Sequence, residues 1–141
     1  MFIEQDLKQA TELAKGGNYL EATDLLKRSV SVMAKTKGCS HQSFCKIVPY
    51  FQKAGLYSEA ESFCTNQLFE AIEESCLISF SQRNYETKQA FVHLYKAMVF
   101  DKLRLNAKRE KCSDDEERFK SMYAEHYSKY ESWFERENSV C

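Results

Sequence analysis

The sequence predicts an all-α fold of antiparallel helical hairpins, about six helices stacked as one domain over residues 1–141. Three observations predict it. Glycine and proline together number five among 141 residues, too few for a turn-rich β protein. Apolar side chains recur at three- and four-residue steps and do not alternate. A short phrase, KGGNYLEA at 15–22, returns thirty-eight residues later as KAGLYSEA at 53–60.

Each element has its own signal. Ile3, Leu7, Ala10, Leu13 and Ala14 place an amphipathic helix over 2–15, closed by Gly16-Gly17-Asn18. A second helix starts at Tyr19 and turns Ala22, Leu25, Leu26, Ser29, Val30 and Met33 inward, breaking near Gly38. The third carries Phe44, Ile47, Val48 and Phe51 and stops at Ala54-Gly55; Pro49 inside it predicts a kink against the Cys45 carbonyl. The fourth runs from about Ser58 to Ile78, with Ala60, Phe63, Cys64, Leu68, Ala71 and Ser75 in step. A fifth, over 84–111, has Phe91, Leu94, Tyr95, Met98 and Leu105 recurring on one side. Ser113 and Glu116 then form a capping box that opens the sixth helix, which runs to Glu137. The hairpins are about 2–35, 39–79 and 84–137.

The repeated phrase has a physical reading. In each copy a glycine closes one helix, a tyrosine two residues on begins the next, and an alanine (Ala22, Ala60) sits where the two helices come closest. The tyrosine ring is expected to cover the turn and pack back onto the first helix. Gly-x-Tyr-x-x-Ala at such a turn resembles the tetratricopeptide repeat. The second copy adds Phe44, Ile47 and Phe51 where that family has its aromatic and aliphatic positions, and the first copy offers Asp6, Gln9 and Leu13 with Ala10 as the small residue. Spacing of thirty-eight residues, Val48 at the small position and a third hairpin without the motif depart from the pattern, so the resemblance covers about residues 3–72.

The resemblance implies a tetratricopeptide-like α-α superhelix whose groove binds a peptide or protein and performs no chemistry. Groove-facing positions would include Lys8 on the first helix and Gln42, Lys46, Gln52 and Lys53 on the third, with Glu4, Asp6, Lys15, Cys45 and Pro49 beside them. The groove is either open or filled by the chain's own third hairpin, and pairing with a second copy is the other partner the pattern allows.

Composition narrows the remaining classes. A formal charge of −1 gives no global attraction to nucleic acid or to acidic membranes. No apolar run reaches the roughly 20 residues that span a bilayer, and the acidic start MFIEQDLKQATELAK does not read as a signal peptide, so the cytosol is the expected compartment. Six cysteines without CxxC spacing are then expected as reduced thiols acting as small hydrophobes.

Candidates for chemistry are few. His41 and Cys45 lie one helical turn apart near Cys39, but no second ligand pair completes a zinc site, and no metal or cofactor is expected. His93 and His41 have no neighbouring Ser, Cys or carboxylate at a spacing that suggests nucleophilic catalysis, His126 is expected as a hydrogen-bonded core histidine, phosphate loops are missing, and no enzyme is read. The aromatic stripe Phe119, Tyr123, Tyr127, Tyr130 and Phe134 is expected mainly to pack on the fifth helix, with surplus surface for a partner. The basic run 102–111, with Arg104, Lys108 and Lys111 on one side, supports the alternative of a nucleic-acid-associated helical protein.

Overall fold

The computed structural model describes residues 3–139; Phe2 and Cys141, part of the first-helix and thiol expectations, lie outside them. Among the described residues the chain is helical, without strands. It comprises α1 (Ile3–Lys15), α2 (Tyr19–Ala34), α3 (His41–Cys45), α4 (Ile47–Lys53), α5 (Tyr57–Phe63), α6 (Phe69–Ser79), α7 (Tyr85–Arg109) and α8 (Ser113–Asn138). These segments make six rods. Lys46, between α3 and α4, keeps helical angles of φ −56° and ψ −37°, so the break falls where Pro49 has no N–H to give the Cys45 carbonyl. A π-helical turn, Cys64–Leu68, joins α5 to α6; its extra residue advances the phase and lets Phe63, Cys64, Leu68 and Phe69 all reach the interior.

Both repeated phrases form one elbow. Gly17 at φ 82° and Gly55 at φ 78° take the left-handed conformation that a Cβ disfavours. The following amide turns back: Asn18 N–H donates to Leu13 O at 2.8 Å, and Leu56 N–H to Phe51 O at 2.8 Å. This is the Schellman closure, and the same residue opens the next helix. Ala22 and Ala60 lie beneath, 0% and 1% exposed, where a longer side chain would force the rods apart.

A third elbow repeats the geometry without glycine. Cys112 N–H donates to Ala107 O at 2.9 Å over Lys111, which sits at φ 59°. The expected capping box therefore does not form. Cys112 occupies the cap, Ser113 is already helical, and no side chain caps the first turn. The elbow is so tight that Cys112 ends α7 and begins α8, one residue before the sequence signal.

The elbow tyrosines reach the hairpin that follows. Tyr19 packs its ring on Tyr50 of α4 at 6.1 Å, and the Tyr57 hydroxyl donates to Asp115 of α8 at 2.6 Å. Each tyrosine thus ties its own hairpin to the following one. Between the second and third hairpins the cross-links keep a nearly constant offset in sequence. Asn106 donates to Val48 O at 2.9 Å, Gln52 to Glu110 at 2.7 Å, and Arg118 makes a bidentate pair with Glu61. The two elbows therefore lie in register.

One apolar cluster runs through all the rods, from Ala10 to Phe119, around the fully buried Leu26, Phe44, Phe51, Ile72 and Phe100. Each such side chain contributes about 1.5–3 kcal/mol against leaving it in water. On α7 the buried residues are Ala90, Val92, Ala97, Val99, Phe100, Leu103 and Ala107 among others, whereas Phe91, Leu94, Tyr95, Met98 and Leu105 are only half-buried. Phe91, Tyr95 and Met98 nevertheless pack against the core from the edge of these buried positions. α7 packs against α8 on one side and against α3, α4, α5 and α6 on another, so it buries small residues on opposed flanks.

Candidate functional site

The five positions expected to face a groove are scattered. Lys8 and Gln42 are exposed on α1 and α3. Lys46 and Lys53 meet around one ring pair, with Nζ 5.8 Å from the Tyr50 centroid and 5.6 Å from the Tyr19 centroid. Gln52 is committed to Glu110 in the third elbow. Of the neighbours, Asp6 accepts a hydrogen bond from the Ser29 hydroxyl at 3.1 Å inside the first hairpin. Cys45 is buried, which pushes its thiol up to about 12. Helix α7 lies along α3 and α4; there Tyr95 donates to Cys39 O at 3.1 Å and sets its ring against His41 and Phe44.

A row of partly covered aromatic rings lies on α8. This helix packs mainly on α7, and of its 26 residues only Phe119 and Trp133 are buried. The aromatic stripe packs inward in part, as expected: Phe119 is buried, Tyr123 lies against the core and Tyr130 meets Phe91 of α7. Tyr123, Tyr127 and Tyr130 are partly buried, and Phe134, 49% exposed, is the surplus surface. The rings touch in series: Tyr123 and Tyr127 stack at 5.5 Å, Tyr127 meets Tyr130 at 5.9 Å, and Tyr130 meets Phe134 at 6.2 Å. Steps of four, three and four residues put them on one flank, because every fourth or third side chain lies one turn above the last. A cleft of about 250 Å³ opens between Tyr127, Tyr130, Phe134 and the carboxylates of Glu131 and Glu135. The base of the row is fixed: Tyr130 also touches Phe91 and Trp133, and Phe91 stacks on Phe80 at 4.3 Å.

A second cluster joins α7 to α8. His93 and His126 share a hydrogen bond between their Nδ1 atoms at 3.0 Å, and His126 stacks on Phe100 at 5.6 Å. One ring must donate and the other accept, so this contact requires both to be neutral or one proton to be shared. Burial lowers both histidines; His93, Lys96 and Lys129 take His126 further, to about 4. His93 also lines a cleft of about 330 Å³ with Glu86, Lys129, Trp133 and Arg136. Sequence reading could not find the pair, because thirty-three residues separate the partners and only the α7–α8 crossing brings them together.

The other candidates carry structure. Cys39, Cys45, Cys64 and Cys76 are buried free thiols, with desolvation raising each above its ordinary value. Among the described residues no three metal-ligating side chains converge. In the basic run, Arg104 turns back on Asp101 through Nε at 3.1 Å and Nη2 at 2.9 Å. Lys108, Arg109 and Lys111 are exposed beside the acidic first turn of α8, Asp114, Asp115 and Glu116. No described helix is long and apolar enough to cross a membrane. Compared with protein families, with curated proteins and with solved structures, the chain finds no match in any of the three.

Proposed function

We propose that this chain is a non-catalytic, tetratricopeptide-like stack of hairpins that binds another protein, with the aromatic flank of α8 as its docking face. One observation carries the proposal: the row Tyr123, Tyr127, Tyr130 and Phe134 is contiguous, supported from beneath and only partly covered. Aromatic side chains are enriched at protein interfaces, since they bury large areas while immobilising few rotatable bonds. The forward-reaching Tyr19 and Tyr57 support a stack, because each elbow is tied to the hairpin that follows. Elbow-over-elbow register between the second and third hairpins supports it again.

The alternative of nucleic-acid binding through 102–111 gains nothing specific from the geometry, since Arg104 is already engaged with Asp101. The lysines of the expected groove remain a second face to test, and Lys46 and Lys53 serve as its probes. Peptides selected from a random library on the immobilised protein provide the experiment. Their binding is expected to be lost in Tyr127→Ala/Phe134→Ala and retained in Lys46→Glu/Lys53→Glu. The reverse pattern would move the docking face to the groove, and peptides that survive both pairs would refute it for either surface.

A further inference from the structure

Resting on the docking face just proposed, we infer that its occupant is a basic amphipathic helix that lies along α8 as the next rod of the stack. The shape argument comes from how the other rods are covered. α7 is sandwiched, with α8 on one side and the second hairpin on another, while α8 packs mainly on α7. A rod packed on one side only ordinarily turns a polar face away from that side. Here the flank beside the buried face carries four rings at helical spacing, three partly buried and Phe134 49% exposed. The row from Tyr123 to Phe134 is about 16 Å long at 1.5 Å per residue, three turns, and its ridges match the grooves of a crossing helix.

Charge selects the occupant. Across Ser113–Asn138 there are eight carboxylates against four Lys and Arg side chains, a net charge of −4 on a chain whose total is −1. Arg118 is withdrawn from the outer surface by Glu61 and Asp115. Glu131 and Glu135 line the cleft beside the rings, and Lys120, on the same flank, is preceded one turn earlier by Glu116. Two copies meeting through α8 would bring together two faces of the same negative sign. A helix carrying Arg or Lys beside its apolar stripe meets carboxylates at the rim and the electron-rich faces of Tyr127, Tyr130 and Phe134 within it.

The test uses two synthetic helices of about 18 residues, five turns long, with the same leucine stripe. One has arginine and the other glutamate on its polar flanks. Fluorescence anisotropy against the full chain is expected to detect the arginine helix only, with binding that weakens as salt is added. Glu131→Lys/Glu135→Lys, both at exposed positions, should cut its affinity about tenfold or more. Tyr127→Ala/Phe134→Ala should abolish it, with helical content checked by circular dichroism. Equal binding of the glutamate helix, still lost in the tyrosine–phenylalanine variant, would overturn the basic partner and leave the docking face standing. Binding of the arginine helix indifferent to that variant would overturn both. A molecular mass in solution that is doubled, and halved by Tyr127→Ala/Phe134→Ala, would assign the face to a second copy and refute the basic helix.

Discussion

Lys111 holds in the third elbow the left-handed conformation that Gly55 holds in the second, at φ 59° against 78°. The amide after each returns to the carbonyl five residues back at nearly the same distance, 2.9 Å for Cys112 and 2.8 Å for Leu56. A side chain in this conformation costs roughly 1–2 kcal/mol in contact between Cβ and the carbonyl. Lys111→Gly removes that cost and gives back part of it as extra freedom in the unfolded chain. The expected result is a gain of about 0.5–1 kcal/mol, or about 2–4 °C in thermal midpoint. Gly55→Lys should lose stability by a similar amount. Differential scanning calorimetry of the two variants checks the pair.

Asn106 is the polar residue on which the junction of α4 and α7 turns. It is fully buried, donates to the Val48 carbonyl at 2.9 Å, and leaves its own Oδ1 without a hydrogen-bond partner. Asn106→Asp keeps the shape while replacing the donor with an oxygen. A carboxylate then faces a carbonyl in the interior, which should cost more than about 3 kcal/mol at neutral pH. Protonation restores a donor, so the loss should shrink as the medium is acidified. Urea midpoints of the variant and the parent chain at neutral and acidic pH measure both effects.

Much of this was legible in the chain itself, for identifiable reasons. Gly17 and Gly55 announce their elbows, because a positive φ selects glycine, and Ala22 and Ala60 announce the crossing beneath them. Lys111 hides the third elbow, since a non-glycine residue there is tolerated but carries no signal. The most buried positions of α7 give little signal, because Ala90, Ala97 and Ala107 are small and do not stand out against Phe91 or Met98. The rings of α8 were visible as a stripe, but periodicity cannot say whether a second layer covers them. His93 and His126 belong to different helices, so the contact between them exists only after the third hairpin has closed.

Burial orders the reactivity of the thiols. Cys45 and Cys76 are pushed up to about 12 and Cys64 higher still, with desolvation the leading cause in each case. Cys112, half-exposed in the third elbow, is not enclosed in this way. The thiolate is the reactive form, so Cys112 should be alkylated at neutral pH well ahead of Cys39, Cys45, Cys64 and Cys76. The four buried thiols should react only as the chain opens, at rates that rise with denaturant. Mass-spectrometric mapping after short iodoacetamide pulses gives the order, and early labelling of Cys64 would contradict it.

The histidine pair sets the acid limit of the fold. His93 and His126 are both lowered in the folded chain from the ordinary 6.5, His126 to about 4, so the unfolded chain takes up protons first as pH falls. Stability from this contact is complete above about pH 6.5 and is lost progressively down to about pH 4, where folded His126 protonates as well. Asp115 is lowered too, through Tyr57, Cys112 and Arg118, but its contribution is lost only below 3.8 and falls outside this window. Lys96 and Lys129 add to the penalty on a charged ring and Glu125 relieves part of it, so salt should soften the acid slope. Phenylalanine at position 126 keeps a ring on Phe100 without a titrating nitrogen. The thermal midpoint of the parent chain should fall between about pH 6.5 and about pH 4, and that of His126→Phe should fall less. Equal slopes in the two proteins would show that the acid limit lies elsewhere.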